Sequence, residues 1–529
     1  MKYEYKKMNN KFKGGTAMDH TQTQPKRPPY GIIAVLMVGA FIAFLNNTLL
    51  NIALPSIMKE LEIEASTVQW LTTGFMLVNG ILIPTTAHLI QKYSVRRLFL
   101  SAMALFTIGT IIAGTAHIFP VLLAGRMMQA SGSAILMPVL MNVMLVSFPV
   151  EKRGAAMGVF GLILMFAPAI GPTLSGWIIE HYDWRMLFHF VTPIAIIVIL
   201  LGVFLIKDKK EKVNIHLDFI SLVESSIGFG GILYGFSSAG SKGWDNPLVY
   251  GTIIIGVVFL IAFILRQTKQ ERPMLNFKVY KYPMFALSSA ITMIVNMAMF
   301  SGMILLPIYV QNIRGISPMD AGLLLLPGAI LMSLMSPITG KLFDKFGGRV
   351  LAIIGLAITT VTTFLFSQLE LHTTYTHLII LYSVRSLGMS MVMMPVSTNG
   401  LNQLPARFYP HGTAMNNTMN QVAGAIGTAL MVTIMSNHTA TRAKELAADA
   451  KASMGNLTAP PTADALAEMK QQIMMQSMLD GINYSFVVAA GIAAVALVLA
   501  FFIKRAKQAE DPENLQPASK PVTPKLAEN

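Results

Sequence analysis

From Gly31 to Lys504 the sequence is a succession of apolar stretches of about 20 residues, and that repetition decides what the chain can fold into. Each stretch is long enough to cross a hydrocarbon core of ~30 Å as a helix. Fourteen are expected, at about 31–54, 68–90, 97–116, 119–147, 153–178, 186–206, 218–239, 247–267, 284–311, 318–343, 349–368, 376–402, 411–436 and 482–504. Apolar residues run through them continuously, whereas lipid-facing strands alternate apolar and polar residues over about ten positions. A segment in lipid must also satisfy its own backbone hydrogen bonds, which a helix does internally. The chain is therefore expected to be an all-α, polytopic membrane protein. Its length of 529 residues would alone suit three or four soluble domains, but only 12% of the residues are charged.

The net charge of +14 raises the question of nucleic acid, and the positions of the basic residues answer it. When alternate loops are assigned to one side of the membrane, that side and the two tails receive 30 of the 40 Lys and Arg, and the other side 8. The remaining two, Arg126 and Arg385, lie inside spans. This asymmetry places both termini in the cytoplasm, with the basic surplus facing anionic lipid headgroups and no nucleic-acid partner. Residues 1–30 are polar and basic and lack the short apolar core of a signal peptide, so the first span is expected to direct insertion. Met8 and Met18 are alternative starts. The absence of cysteine excludes disulfides, thiolate metal sites and cysteine nucleophiles. No HExxH, phosphate loop or Ser/His/Asp set is present, so an enzyme is not expected.

An internal repeat emerges when "AHLIQKYSVRRL" (87–98) is laid on "GKLFDKFGGRVL" (340–351). Leu89, Lys92 and Arg96 align with Leu342, Lys345 and Arg349 at an offset of 253, and Arg126 and Arg385 are 259 apart within the fourth span of each group. The organisation is thus a tail (1–30), six helices (31–206), two inserted helices with their linkers (207–283), six more helices (284–504) and a tail (505–529). Residues 437–481 are polar and alanine-rich and are expected to form an external loop with some helix, either a lid or a solvated connector. Repeats of this kind let secondary transporters hold a site at the midplane between two rocking halves.

The motifs carry a resemblance to the major facilitator superfamily, in particular its fourteen-span drug:proton antiporters. "GKLFDKFGGR" (340–349) is similar to that superfamily's loop motif, "LAGRMMQASGSA" (123–134) to its fourth-span arginine motif, and "GLILMFAPAIGPTLSG" (161–176) to the antiporter motif of the fifth span. "LNNTLLNIALP" (45–55) resembles the fourteen-span signature, except that Asn46 stands where the family carries an aspartate. The lincomycin-type branch resembles this chain in that asparagine. The resemblance implies a major facilitator fold with 14 spans arranged 6 + 2 + 6. It also implies a bacterial cell-membrane location and monomeric export of amphipathic drugs, driven by a proton gradient without a cofactor. Export of an endogenous lipid or metabolite is the competing function; a channel or a non-transporting sensor is more remote.

By that resemblance, Arg126 and Asn46 belong to proton coupling. A charge at the depth of Arg126 costs about 2.5–3.5 kcal/mol at a helix centre, so its side chain must face the protein or water; it either moves or tunes protons, or only anchors the helix. Gly161, Pro168, Gly171, Pro172 and Gly176 should make a bent, closely packed fifth helix that favours exchange. Gly340, Asp344, Lys345 and Arg349 form a gate motif in which the carboxylate meets a helix's positive end and basic neighbours. Ala87 and Gln91 replace its glycine and aspartate in the first half, which points to a main gate in the second. Asn47, Asn51, Asn79, Gln129, Asn142, Asn416 and Asn420 are candidates for a neutral polar chamber, with Asn296 and Asn399 beside them; hydrogen bonding between helices is the alternative. Met137, Met141 and Met144 form a helical stripe that serves either adaptable binding or packing. Glu224, Glu180, Asp183, Asp320, His88 and His189 are the few acids and histidines near the spans, and none is singled out as the proton carrier.

Overall fold

The computed structural model describes residues 29–63, 65–68, 70–207, 218–270, 273–454 and 463–506. The expected tails, much of the 207–217 linker and residues 455–462 lie outside this set, as do the side chains of Asn51, Pro168 and Pro172. Among the described residues there is no strand.

The first bundle comprises α1 (Tyr30–Leu61), α2 (Trp70–Lys92), α3 (Val95–Gly114), α4 (Phe119–Ser147), α5 (Arg153–His181) and α6 (Met186–Leu205). The inserted hairpin is α7 (Phe219–Lys242) and α8 (Pro247–Lys269). The second bundle comprises α9 (Pro283–Ile308), α10 (Pro318–Phe346), α11 (Gly348–Leu365), α12 (Tyr375–Ser390), α13 (Met393–Asn402), α14 (Tyr409–Met454) and α15 (Ala463–Ala500). Every expected span falls on helix, and twelve helical segments among the described residues are long and apolar enough to cross a membrane.

Two departures from the expected pattern have local causes. The span expected at 376–402 is broken between α12 and α13. Pro395 lies four residues beyond Met391, where its ring clashes with the Met391 carbonyl and its missing N–H removes the bond that would carry the helix through. The second departure is in 437–481, where α14 continues to Met454 and α15 begins at Ala463, so the span helices themselves run through most of the expected loop. Arg442 holds the two together, with Nε 2.9 Å from Asp480, and His438 stacks on Tyr484 at 4.3 Å. At 46 residues α14 is about 69 Å long, far more than a bilayer core requires.

The bundles meet along two seams. On one, α5 packs on α10; on the other, α2 packs on α14, and α7 lies over both. Thr73 of α2 pairs with Ser237 of α7 at 3.4 Å, and Trp244 just past α7 donates to Thr433 of α14 at 2.5 Å. Trp70 stacks on Tyr234 along the same face. The hairpin is pinned at its other end by Asp218, which caps α7 through the Ile220 N–H and pairs with Arg266 of α8 at 2.7 Å. Arg266, Ser221 and Gln270 hold the Asp218 carboxyl far below the usual carboxylate range. Ile254, Ile255, Val257, Val258 and Ile261 of α8 face outward, as an apolar surface turned to lipid requires.

Candidate functional site

The polar chemistry of the interior gathers in three places. In the first bundle Arg126 is fully buried on α4. Its guanidinium donates to Gln129 Oε1 at 2.9 Å and to Asn47 Oδ1 of α1 at 3.1 Å, and it lies 4.5 Å from the centre of the Phe75 ring on α2. Gln129 in turn donates to Thr110 of α3 at 2.8 Å. Four helices therefore converge on one cation, and its described partners are all neutral. Nε of Arg126 and Nδ2 of Asn46 are buried without a partner. The approach of α3 to α4 that permits this depends on Gly109 and Gly125: a Cβ on Gly109 would lie 2.6 Å from the Gly125 carbonyl.

The second bundle repeats the arrangement with different atoms. Arg385 of α12, also buried, donates to the Ala298 carbonyl of α9 at 3.0 Å and to Thr363 of α11 at 3.2 Å. Each arginine thus ties the first and third helices of its own bundle to the fourth. The correspondence at an offset of 259 in sequence is a correspondence of contacts as well.

The third place is the α5–α10 seam. Helix α5 starts without a local cap; Lys152, its N-cap residue, supplies no side-chain bond. The orphan N–H groups of Gly154 and Ala155 are filled from the other bundle by Asp344, whose two carboxylate oxygens each accept one at 2.8 Å. A carboxylate at a helix N-terminus is stabilised by both the hydrogen bonds and the helix dipole. The sequence leads one to expect a helix end beside the carboxylate together with its basic neighbours. The helix proves to be α5, not the adjacent α11, and the solvent-facing Lys345 lies over Phe346. Arg349 is also exposed. Arg505 instead donates to the Asp344 main-chain oxygen at 2.6 Å. The helices touch because Gly340 faces Gly154; a Cβ on Gly340 would come within 2.2 Å of the Gly154 carbonyl. Ser336 of α10 closes the seam further along by donating to the Gly158 carbonyl at 2.8 Å.

Two more cross-bundle contacts lie at this end. Arg153 donates to Asn402 at 3.2 Å and lies 4.8 Å from the Tyr409 ring, while Gln91 meets His411 at 2.9 Å. Gln91 was detectable, since the repeat offset of 253 maps it on Asp344 and therefore places it against the start of α14, as Asp344 is placed against α5. Arg153, Asn402 and His411 carry no comparable signal. These contacts share an end of the molecule with Tyr30 and Ala506, near the ends of the described residues, for Tyr30 packs on Phe148, and Asn399 binds the Lys504 carbonyl and the Ala506 N–H.

Of the other candidate positions, Asn79 accepts from Ser133 at 3.1 Å, Asn416 donates to Ser397 at 2.7 Å, and Asn420 accepts from Asn296 at 3.1 Å. Each joins neighbouring helices within one bundle. Oδ1 of Asn142 is buried and unpartnered. In the fifth-span motif, Gly161 abuts Ser336 and Gly171 abuts Thr48, whereas Gly176 has open space beside it. Met141 and Met144 are packed into the core. A small cleft between the bundles is lined instead by Met332, Met393 and Met394, with Gly161, Ser336 and Ser390. Replacing Asp344 with asparagine leaves one acceptor and removes the charge. At about 1.5–3 kcal/mol for a charge-assisted bond, the closed seam should lose stability by tenfold or more, read as a longer distance between spin labels on the exposed Lys152 and Lys345.

Residues 36–428 match the model of the Major Facilitator Superfamily. The chain is 53% identical over 411 residues, 78% of its length and 77% of the relative's, to the uncharacterised MFS-type transporter YhcA of Bacillus subtilis (strain 168). It is 44% identical to the lincomycin resistance protein LmrB of the same organism, across 90% of this chain and 96% of that one. The crystal structure of the human organic anion transporter MFSD10 (TETRAN) superposes with a TM-score of 0.62 at 12% identity, covering 89% of this chain and 99% of that one. With a family model matching most of its length and relatives this similar, the chain belongs to the Major Facilitator Superfamily.

Proposed function

We propose that this transporter is a proton-coupled exporter of amphipathic drugs or antibiotics, lincosamide-type compounds among them, working by alternating access. The observation that carries the reading is the clustering of cross-bundle contacts at the end that holds Tyr30 and Ala506: Asp344 on α5, Arg153 on Asn402, and Gln91 on His411. The basic surplus in the loops supports placing that end in the cytoplasm, and on that reading the conformation is shut on the cytoplasmic side. Similarity to a lincomycin resistance protein over most of both chains supports the choice of cargo. The six-helix units 31–206 and 284–504 are the rocking bodies, and Arg126 and Asn46 belong to coupling. A buried cation ringed by neutral groups raises the cost of a second positive charge nearby, which links the occupancy of one to the other. Among the polar chamber candidates, Asn142 keeps an unpartnered buried oxygen and is assigned to the chamber, while the paired asparagines hold helices together. The energy source is the proton gradient, with no cofactor required.

The test is uptake of lincomycin and of ethidium into inverted membrane vesicles with an interior-acid gradient. Saturable uptake that stops when the gradient is collapsed is the expected result. Folded, inserted protein that moves neither compound under the gradient would sink the drug assignment and favour export of an endogenous lipid or metabolite.

A further inference from the structure

The two seams are closed by different chemistry. On the α5–α10 seam a carboxylate fills a helix N-terminus, and on the α2–α14 seam the equivalent position is Gln91, which meets an imidazole. His411 is the third residue of α14 and is 5% exposed. Its Nδ1 accepts the main-chain N–H of Asn276 at 3.1 Å. That bond fixes the neutral tautomer with its proton on Nε2, the atom 2.9 Å from the Gln91 side-chain amide. The amide meets it with its oxygen after a half-turn of its last torsion, which gives up the 3.2 Å bond from Gln91 Nε2 to the Ala87 carbonyl. One neutral ring thus joins α2, the segment before α9 and α14.

We infer that His411 is a proton-binding site that controls the opening of the α2–α14 seam. A second proton on the ring must go to Nδ1, where it would face the Asn276 N–H donor to donor, and the 3.1 Å bond could not survive. The resulting cation would also lie at the start of α14, where the helix dipole opposes positive charge. Nearby groups add to the opposition. His88 of α2, 5% exposed, has an unpartnered Nε2, and Lys92 lies one turn further along the same helix. Arg407 and Tyr409 flank the start of α14, and Lys278, Tyr280 and Lys281 lie on the 3-10 turn packed against it. In the opened seam the ring reaches water and accepts the proton as an ordinary histidine does. The sign follows from that difference: the closed state binds fewer protons than the open one, so acidification through the histidine range favours opening, and return to pH 8 favours closure.

This inference rests on reading these contacts as a gate, and one experiment separates the two. The chain has no cysteine, so Tyr93→Cys with Ala406→Cys, both exposed and on opposite sides of the bridge, can be spin-labelled selectively. The label distance is then measured by pulsed electron resonance in nanodiscs between pH 8 and 5.5. The open-to-closed ratio is expected to rise about tenfold over that range, the gain of a histidine titrating near 6.5. His411→Gln should abolish the rise and His88→Gln should keep it. An absent rise, an equal rise in His411→Gln, or a loss confined to His88→Gln overturns the assignment. Should His411→Gln fail to insert, Asn276→Pro removes the opposing donor and should move the response to higher pH; an unmoved midpoint overturns it as well. A distance insensitive to Asp344→Asn and to pH alike sinks the gate reading itself, whereas a response to Asp344→Asn alone sinks only the histidine site.

Discussion

Vesicles carrying Arg126→Ala should take up substrate about a hundredfold more slowly than the parent, while the protein inserts normally and melts at about the same temperature. The guanidinium holds Gln129 and Asn47 at 2.9 and 3.1 Å, and its removal leaves both side-chain oxygens facing a gap in a buried site. Bonds to a charged group contribute about 1.5–3 kcal/mol each, and a hundredfold corresponds to about 2.7 kcal/mol. Stability should change little, because relief of a buried charge without an opposite charge offsets the two lost bonds. Arg126→Lys retains the charge but has a single point of contact and cannot reach both partners in the same geometry, so an intermediate rate is expected. A fall in melting temperature that parallels the fall in uptake would make Arg126 a brace between helices and remove it from the transport step.

The second large effect concerns backbone contact. Gly340→Val places a branched side chain where a Cβ alone would already lie 2.2 Å from the Gly154 carbonyl. Neither atom belongs to a flexible side chain that can turn away, so α5 and α10 must part by more than an ångström, and the bonds from Asp344 to Gly154 and Ala155 are lost together. The expected result is a label distance between positions 152 and 345 fixed at its longer value, with uptake reduced to about a hundredth or less. Two charge-assisted bonds at about 1.5–3 kcal/mol each are enough for that shift. Unchanged uptake in this variant would mean that close contact of the two helices is not part of the cycle.

Much of this organisation was legible in the residues. The length and continuity of the apolar runs located the helices, since lipid leaves the backbone few alternatives. The resemblance of Gly340–Arg349 to a superfamily loop motif drew attention to Asp344, and a glycine of that motif, Gly347 at φ +80°, ends α10. What the sequence hid depends on distance along the chain. Arg153 and Asn402 are 249 positions apart, and neither sits in a run that announces a partner; Gln91 and His411 are 320 apart, and only the repeat points from the first toward the second. The extension of α14 was only partly legible, for a different reason. Polarity in 437–454 shows that the chain has left the hydrocarbon, but residues such as Ala, Lys and Glu are good helix formers, so the helix continues after the lipid ends. The break before α13 could have been anticipated from Pro395, which methionine-rich surroundings disguised as an uninterrupted span.

The strap formed by α7 makes the molecule lopsided, like a book with a spine on one side and a free fore-edge on the other. The links from Ser237 to Thr73 and from Trp244 to Thr433 lie far along α2 and α14 from Gln91 and His411, so they tie that seam at one end and leave the other free to open, whereas the α5–α10 seam carries neither link. Once Asp344 lets go, the fore-edge can widen along its length toward the surrounding lipid. An amphipathic molecule dissolved in the leaflet would then reach the interior sideways, without first crossing into water.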